Sequence, residues 1–230
     1  FDKNTLAAIA GSEALLASYM GLSSATGLDD QIAWSRGQDV DNDDGDASTT
    51  IRSDIIGDPL HSRPLVINYG CTIATGASSC TPDLRIVMGT NSGFLHMFKD
   101  LGDSVDESWA MMPYELLPNQ PILRINAESA THVYGVDASP VALVRDSNSN
   151  GVIKASEGDS VWLFVGLRAG GHSYYALDIT RPDQPLLKWV INAQTSGFAG
   201  LGQSWSVPDV AFVPGIDDPV LVFAGGYDLN

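Results

Sequence analysis

The chain has 230 residues, 44% of them hydrophobic and 17% charged, which is enough apolar matter to bury a core and argues against wholesale disorder. Twelve basic against 28 acidic residues give a net charge of −16. That charge repels nucleic acid and anionic lipid and favours divalent cations. No apolar run approaches the length of a membrane-crossing helix, so no transmembrane segment is expected.

The opening Phe-Asp-Lys-Asn lacks the basic start and apolar stretch of a signal peptide, and both ends read as cut from a longer protein. Residues 5–35 form the only helix-like region. Leu6, Ile9, Leu16 and Met20 follow a spacing of three to four, and a second short helix is expected from Asp29 to Trp34. An acidic stretch from Asp39 to Asp46 follows. Its Asp39, Asp41 and Asp43 alternate as calcium ligands can, but Asp44 stands where a calcium loop needs glycine. A solvated loop competes with a second-tier metal site there. Residues 1–50 therefore read as a helical lead-in with an acidic loop, and residues 51–230 as strands and turns.

Three segments run from glycine to a proline that opens an apolar strand. They are Gly57-Asp-Pro-Leu-His-Ser-Arg-Pro64, Gly135-Val-Asp-Ala-Ser-Pro140 and Gly202-Gln-Ser-Trp-Ser-Val-Pro208. Each leads to an apolar strand ending in glycine, at Arg85–Gly89, Val161–Gly166 and Val220–Gly225. In the first two units a third strand follows, Gly93–Phe98 and Gly171–Asp178, and then a tryptophan strand, Ser108–Met112 and Leu187–Ile191. Four strands per unit, with two units complete and a third half present, predict a mainly β fold built as a partial, quinoprotein-like β-propeller. A β-sandwich is the competing architecture. Insertions are expected at residues 68–84 and 113–134.

Cys71 and Cys80 flank a small, polar, glycine-containing segment. The pair predicts a disulfide closing a hairpin excursion, and with it an oxidising compartment; there is no CxxC and no nearby histidine to suggest zinc. The sharpest motif is Asp146-Ser-Asn148-Ser-Asn150-Gly151-Val152-Ile-Lys154-Ala-Ser-Glu157. Oxygen side chains stand at positions one, three and five, glycine at six and an acid at twelve, as in an EF-hand calcium loop. The expected calcium (Ca2+) ligands are Asp146, Asn148, Asn150, the Val152 carbonyl and either Glu157 or Asp159. Lys154 stands at the ninth position, where an ammonium has no lone pair to offer. A solvated Asn/Ser/Gly turn is the alternative reading.

His61, His96, His132 and His172 show no metal-ligand spacing, and no Gly-x-Ser-x-Gly elbow is present. Gly166-Leu-Arg-Ala-Gly-Gly171 lacks the lysine and following helix of a phosphate loop. The tryptophans are expected to fill the spaces between blades.

Several phrases together resemble one family. They are Gly57-Asp-Pro-Leu-His-Ser-Arg-Pro64, Met88-Gly-Thr-Asn-Ser-Gly-Phe-Leu-His-Met-Phe98, Pro113-Tyr-Glu-Leu-Leu-Pro-Asn119, Tyr134-Gly-Val-Asp-Ala-Ser-Pro140 and Tyr174-Tyr-Ala-Leu-Asp178. The chain resembles the C-terminal propeller of the PilC/PilY family of type IV pilus biogenesis factors and tip adhesins, over residues 51–230. The resemblance implies a non-enzymatic, calcium-binding module that supports pilus assembly, control of retraction, adhesion and twitching motility. It implies pilins, minor pilins and other pilus-tip proteins as partners, with host surface receptors as further ones. It also implies a location at the pilus tip, outer membrane or periplasm of a Gram-negative bacterium. In that family the ninth loop position is commonly an aspartate, unlike Lys154. Arg36-Gly-Gln-Asp39 is not an Arg-Gly-Asp motif, so integrin binding is not carried over. A quinoprotein-type dehydrogenase or another secreted ligand-binding propeller are the alternatives.

Overall fold

The computed structural model describes residues 2–42, 45, 51–52, 55–72, 78–126 and 131–227. The lead-in is three short helices, α1 (Lys3–Ala10), α2 (Glu13–Tyr19) and α3 (Leu28–Ser35). The Asp2 carboxylate and the Ser12 hydroxyl accept the Thr5 and Leu15 amides, so the first two helices start at side-chain caps. Leu6, Leu16, Ala17, Met20, Leu28 and Ile32 form a small core closed by Leu117, which comes from the body of the protein. The helix-like region thus resolves into separate pieces, and α3 covers the expected Asp29–Trp34 segment.

The body is mainly antiparallel β. Strands β1 (Leu65–Thr72), β2 (Thr81–Gly89), β3 (Leu95–Asp100) and β4 (Val105–Met111) form one four-stranded meander. A second is built from β5 (Val141–Arg145), β6 (Ser160–Gly166), β7 (Tyr174–Asp178) and β8 (Leu186–Ile191). A two-stranded sheet follows, β9 (Asp209–Ala211) with β10 (Val220–Val222). Every neighbour pair in a sheet is also consecutive in sequence. That is the order of repeated meanders rather than of Greek-key sandwich sheets. The described residues form three sheets in series and no closed ring.

The two large sheets pack face to face. Alternation sends Ile67, Tyr69, Val87, Leu95 and Met97 from the first, and Val161, Leu163, Val165, Tyr175 and Leu177 from the second, into one core. Burying each large aliphatic side chain is worth about 1.5–3 kcal/mol. The register agrees with this face, since Leu163 opposes Leu177 and Val165 opposes Tyr175. The second sheet is also buried on its other face, where the Tyr174 ring lies 4.3 Å from that of Phe223, just beyond β10. Strand β6 therefore reads as a continuous apolar run because both of its faces are covered.

Polar tethers cross between the large sheets. The Tyr69 hydroxyl donates to the Ile179 carbonyl at 2.5 Å, and Trp109 Nε1 donates to the Pro182 carbonyl at 2.8 Å. Arg85, fully buried, donates to Asp83 on its own strand, to Ser108, and across the interface to Asp183 at 2.6 Å. Not every tryptophan fills such an interface. Trp205 is 41% exposed and lies beneath the Arg168 guanidinium at 4.4 Å.

Not all of the chain beyond residue 51 is strand and turn. A helix, α4 (Asn119–Ile125), lies in the 113–134 insertion. Pro118 and Pro121 make that stretch look like a loop, yet proline is tolerated in the first turn, where amides have no intrahelical acceptor. Gln120 anchors the helix by donating Nε2–H to the Ser92 carbonyl at 2.8 Å. Within the expected 68–84 insertion, the described residues extend the β1–β2 pairing to Thr72 and Thr81, and the Cys71–Cys80 disulfide ties the two strands, its Cα atoms 5.5 Å apart.

Candidate metal-binding loop

Residues 146–159 join β5 to β6. The loop is built from side chains that bond to backbone amides. Asp146 Oδ2 accepts the Gly151 amide at 2.7 Å, and its Oδ1 accepts the Asn150 amide at 3.3 Å. Asn148 Oδ1 accepts the same Asn150 amide at 3.0 Å, and Asn150 Oδ1 accepts the Val152 amide at 2.8 Å. These bonds bend the chain inward. Ser149 and Gly151 take positive φ values of 56° and 76°, the sharp turn that glycine at the sixth position permits.

Glu157 closes the loop. Its Oε2 accepts from Asn148 Nδ2 and from Asn150 Nδ2, both at 2.7 Å, and its Oε1 accepts from Lys154 Nζ at 2.9 Å. The Lys154 ammonium, and after it the two amides, hold the Glu157 carboxyl down at about 2. Positions three, five and twelve are therefore gathered at one point.

Asp159 is placed differently. It is buried, and its oxygens accept the Ser147 and Lys154 amides, each at 2.8 Å. It braces the two stems of the loop, and the Ser147 hydroxyl adds a bond to the Gly158 carbonyl at 2.7 Å. The sequence offers either Glu157 or Asp159 as the acidic ligand; their hydrogen bonds give them separate positions.

The loop leans on the neighbouring sheet. The Ile153 amide donates to the Tyr69 carbonyl at 2.9 Å. Gly70 follows, at φ 105°, where β1 carries an irregularity between Asn68 and Cys71. A Cβ on Gly70 would stand 2.6 Å from both the Gly151 oxygen and the Val152 Cα. Only glycine allows β1 and the loop to approach this closely.

Of the acidic stretch, Asp39 and Asp41 lie among the described residues. Asp39 is buried. Asp41 receives both Arg124 Nε and Nη2 at 2.7 Å, and this pairing lowers its pKa. Asp43 lies outside the described residues. Among the described residues no three His, Cys, Asp or Glu side chains form a metal-holding cluster. The 146–159 loop relies instead on amide side chains beside its carboxylates.

Two further features escaped the reading by spacing. His61, Asp137 and Arg168 form a polar cluster, with His61 Nδ1 2.9 Å from both Asp137 oxygens and Arg168 Nη1 donating to Asp137 Oδ2 at 2.8 Å. The signal was present in the equal offsets of His61 and Asp137 from the repeat prolines. A groove of about 1040 Å³ runs between β4 and β8, lined by Trp109, Tyr114, Glu115, Tyr175 and Val190 among others. None of the candidate ligands lines it. The Tyr175 hydroxyl donates to Glu115 Oε1 there at 2.8 Å.

No family model matches the chain. Type IV pilus biogenesis factor PilY1 of Pseudomonas aeruginosa strain UCBPP-PA14 is 31% identical over 179 residues, which is 70% of this chain and 14% of that protein. PilY1 of strain PAK is 30% identical over 200 residues, 79% of this chain and 16% of the relative. A PilY1 homolog of Xylella fastidiosa strain Temecula1 is 27% identical over 195 residues, 79% and 15% respectively. The crystal structure of the P. aeruginosa PilY1 C-terminal domain aligns with a TM-score of 0.42 at 29% identity, covering 63% of this chain and 25% of that one. The chain thus spans only 14–16% of the length of these curated relatives. The identity extends through most of the chain, and on that footing the chain belongs to the PilY1 family.

Proposed function

We propose that this chain is a calcium-binding β-propeller segment of a type IV pilus biogenesis factor. It works without catalysis, at the pilus or cell envelope, through contacts with pilins and other pilus-tip proteins. Kinship with proteins named type IV pilus biogenesis factor supports the pilus role. The serial four-stranded meanders, packed face to face, support a propeller. Pilus assembly, restraint of retraction, adhesion and twitching motility are the processes such a segment would serve, with host surface receptors as further partners. Among the described residues no helix is long and apolar enough to cross a membrane.

The observation that carries the calcium reading is the meeting of Asn148, Asn150 and Glu157 at 2.7 Å contacts in a loop already bent by Asp146. The donor set fits a hard cation: two carboxylates and two amides, each amide able to turn oxygen inward. Asp146, Asn148, Asn150, Glu157 and the Val152 carbonyl would hold the ion, and Asp159 would keep the stems together. Calcium would supply charge neutralisation and rigidity, fixing a surface that a partner could read. Lys154 already places one positive charge against Glu157, so the affinity is modest, roughly 10⁻⁵ to 10⁻³ M.

The test is made in the full-length parent protein. Asp146→Ala should impair surface piliation or twitching when the variant is expressed to normal level. Normal pilus behaviour, in a variant that no longer binds calcium, would separate the loop from the pilus role.

A further inference from the structure

We infer that the Cys71–Cys80 disulfide and the 146–159 loop are thermodynamically coupled, so that the disulfide tightens calcium binding and calcium makes the disulfide harder to reduce. The inference rests on the calcium reading of the loop. It adds a redox control that neither the motif nor the kinship implies.

The physical connection is short. In β1 the register slips between Asn68 and Cys71, so Tyr69 and Gly70 fall outside the regular ladder with β2. Those two residues are the ones that meet the loop. The Tyr69 carbonyl accepts the Ile153 amide at 2.9 Å, and Gly70 lies against Gly151 and Val152. Asn68 holds the irregularity from one side, its Oδ1 accepting the Gly70 amide at 2.8 Å. The disulfide holds it from the other, because Cys71 follows Gly70 directly and is bonded to Cys80, the residue just before β2.

The loop residues reached by this contact lie in the middle of the ligand run. Val152 is the seventh loop position, and its amide donates to Asn150 Oδ1 at 2.8 Å. Gly151 donates to Asp146 Oδ2 at 2.7 Å. Displacing Gly70 therefore displaces the backbone that aims Asp146 and Asn150. An irregular strand segment freed at one end has more conformations to lose when an ion orders the loop, and that entropy appears as weaker binding. Linkage then requires the reverse effect, a calcium-dependent shift of the disulfide equilibrium by the same factor.

The redox step uses a dithiol as reductant. One thiolate of the dithiol attacks a cysteine sulfur and breaks the Cys71–Cys80 bond. Its second thiol resolves the mixed disulfide. Two protein thiols and one oxidised dithiol result, with two electrons and two protons passing to the protein.

Calorimetric calcium titration of the oxidised chain and of the Cys71→Ser/Cys80→Ser variant tests the coupling. A parallel measurement follows the fraction oxidised in a dithiothreitol redox buffer, with and without calcium. The expected result is a Kd weaker by about 5-fold or more without the disulfide, with the redox equilibrium shifted by a matching factor when calcium is added. Asp146→Ala should abolish that shift, and Gly70→Val should weaken binding while the disulfide stays formed. Equal Kd values for the oxidised chain and a folded serine variant would overturn the coupling and leave the calcium reading standing. An oxidised chain that binds no calcium would end both. If the serine variant does not fold, the redox equilibrium decides, and no shift in a chain that binds calcium refutes the coupling.

Discussion

His61 and Asp137 stand at the same place in consecutive repeats, three residues before the proline, and they meet, with Nδ1 2.9 Å from the carboxylate. Trp205 holds that place in the third repeat and lies under Arg168, which itself donates to Asp137. Equivalent positions of neighbouring repeats thus lie close together, joined through Arg168. The Asp137 side chain is wholly buried and shared between two partners. Asp137→Ala should cost about 1–3 kcal/mol, because it removes the buried carboxylate that accepts from Arg168 and contacts His61. Urea unfolding checks this; a loss below about 0.5 kcal/mol, the level of a neutral surface change, would contradict it.

Arg85 and Asp183 give a second measure of the sheet interface. Asp183 is largely exposed while Arg85 is not, so the two mutations are unequal. Asp183→Ala strands part of a buried guanidinium, leaving only Asp83 and Ser108 as partners, and should cost about 1–3 kcal/mol. Thermal unfolding of the variant should show the loss, and added salt should narrow the difference from wild type, since the exposed Asp183 carboxylate leaves the pair open to screening.

The pH dependence of the loop follows from Glu157. Its folded pKa, about 2, lies below the ordinary 4.5. A depressed carboxyl contributes stability that is present above the unfolded value and lost as pH falls through the folded one. The contribution should therefore hold above pH 4.5 and vanish between there and about pH 2. The melting temperatures of wild type and Glu157→Gln should differ at neutral pH and converge near pH 2. Equal melting temperatures at pH 7 would show that the Lys154 and amide contacts do not persist in solution.

Lys154 places an ammonium at the ninth loop position, 2.9 Å from Glu157 Oε1. Lys154→Asp removes an ammonium and adds an oxygen donor at the ninth loop position. Calcium affinity should rise about tenfold or more, as titration calorimetry can measure. Unchanged affinity would mean that the ninth position does not face the ion.

The disulfide predicts essentially no free thiol in the unreduced, denatured chain. Reduction should lower stability by about 2–3 kcal/mol at most, since the closed loop is short. Two titratable thiols in freshly purified protein would refute the pairing.

The strands were legible because the chain writes them twice. Val161–Gly166 and Arg85–Gly89 are dense in β-branched and apolar residues, each ends in glycine, and each follows a glycine-to-proline phrase. The EF-hand-like spacing of Asp146, Asn148, Asn150 and Glu157 was legible for the same reason, being local in sequence. What stayed hidden depends on distance. The helix Asn119–Ile125 is held by Gln120 reaching Ser92, and Asp41 is taken up by Arg124 from far along the chain. Spacing cannot report such contacts. Spacing puts Glu157 at the twelfth position but does not reveal that Asp159 braces the stems through two amides, and the role of Gly70 appears only when β1 and the loop are side by side.

Calcium titration of the wild-type chain beside Asp146→Ala, read as melting temperature, tests the central claim most directly. A ligand that binds only the native state raises the melting temperature as its concentration passes Kd. The account predicts a rise for wild type that begins between roughly 10⁻⁵ and 10⁻³ M calcium, and none for a folded Asp146→Ala. No rise at roughly 10 mM calcium, ten times the weak end of that range, or a rise that survives Asp146→Ala, would contradict it.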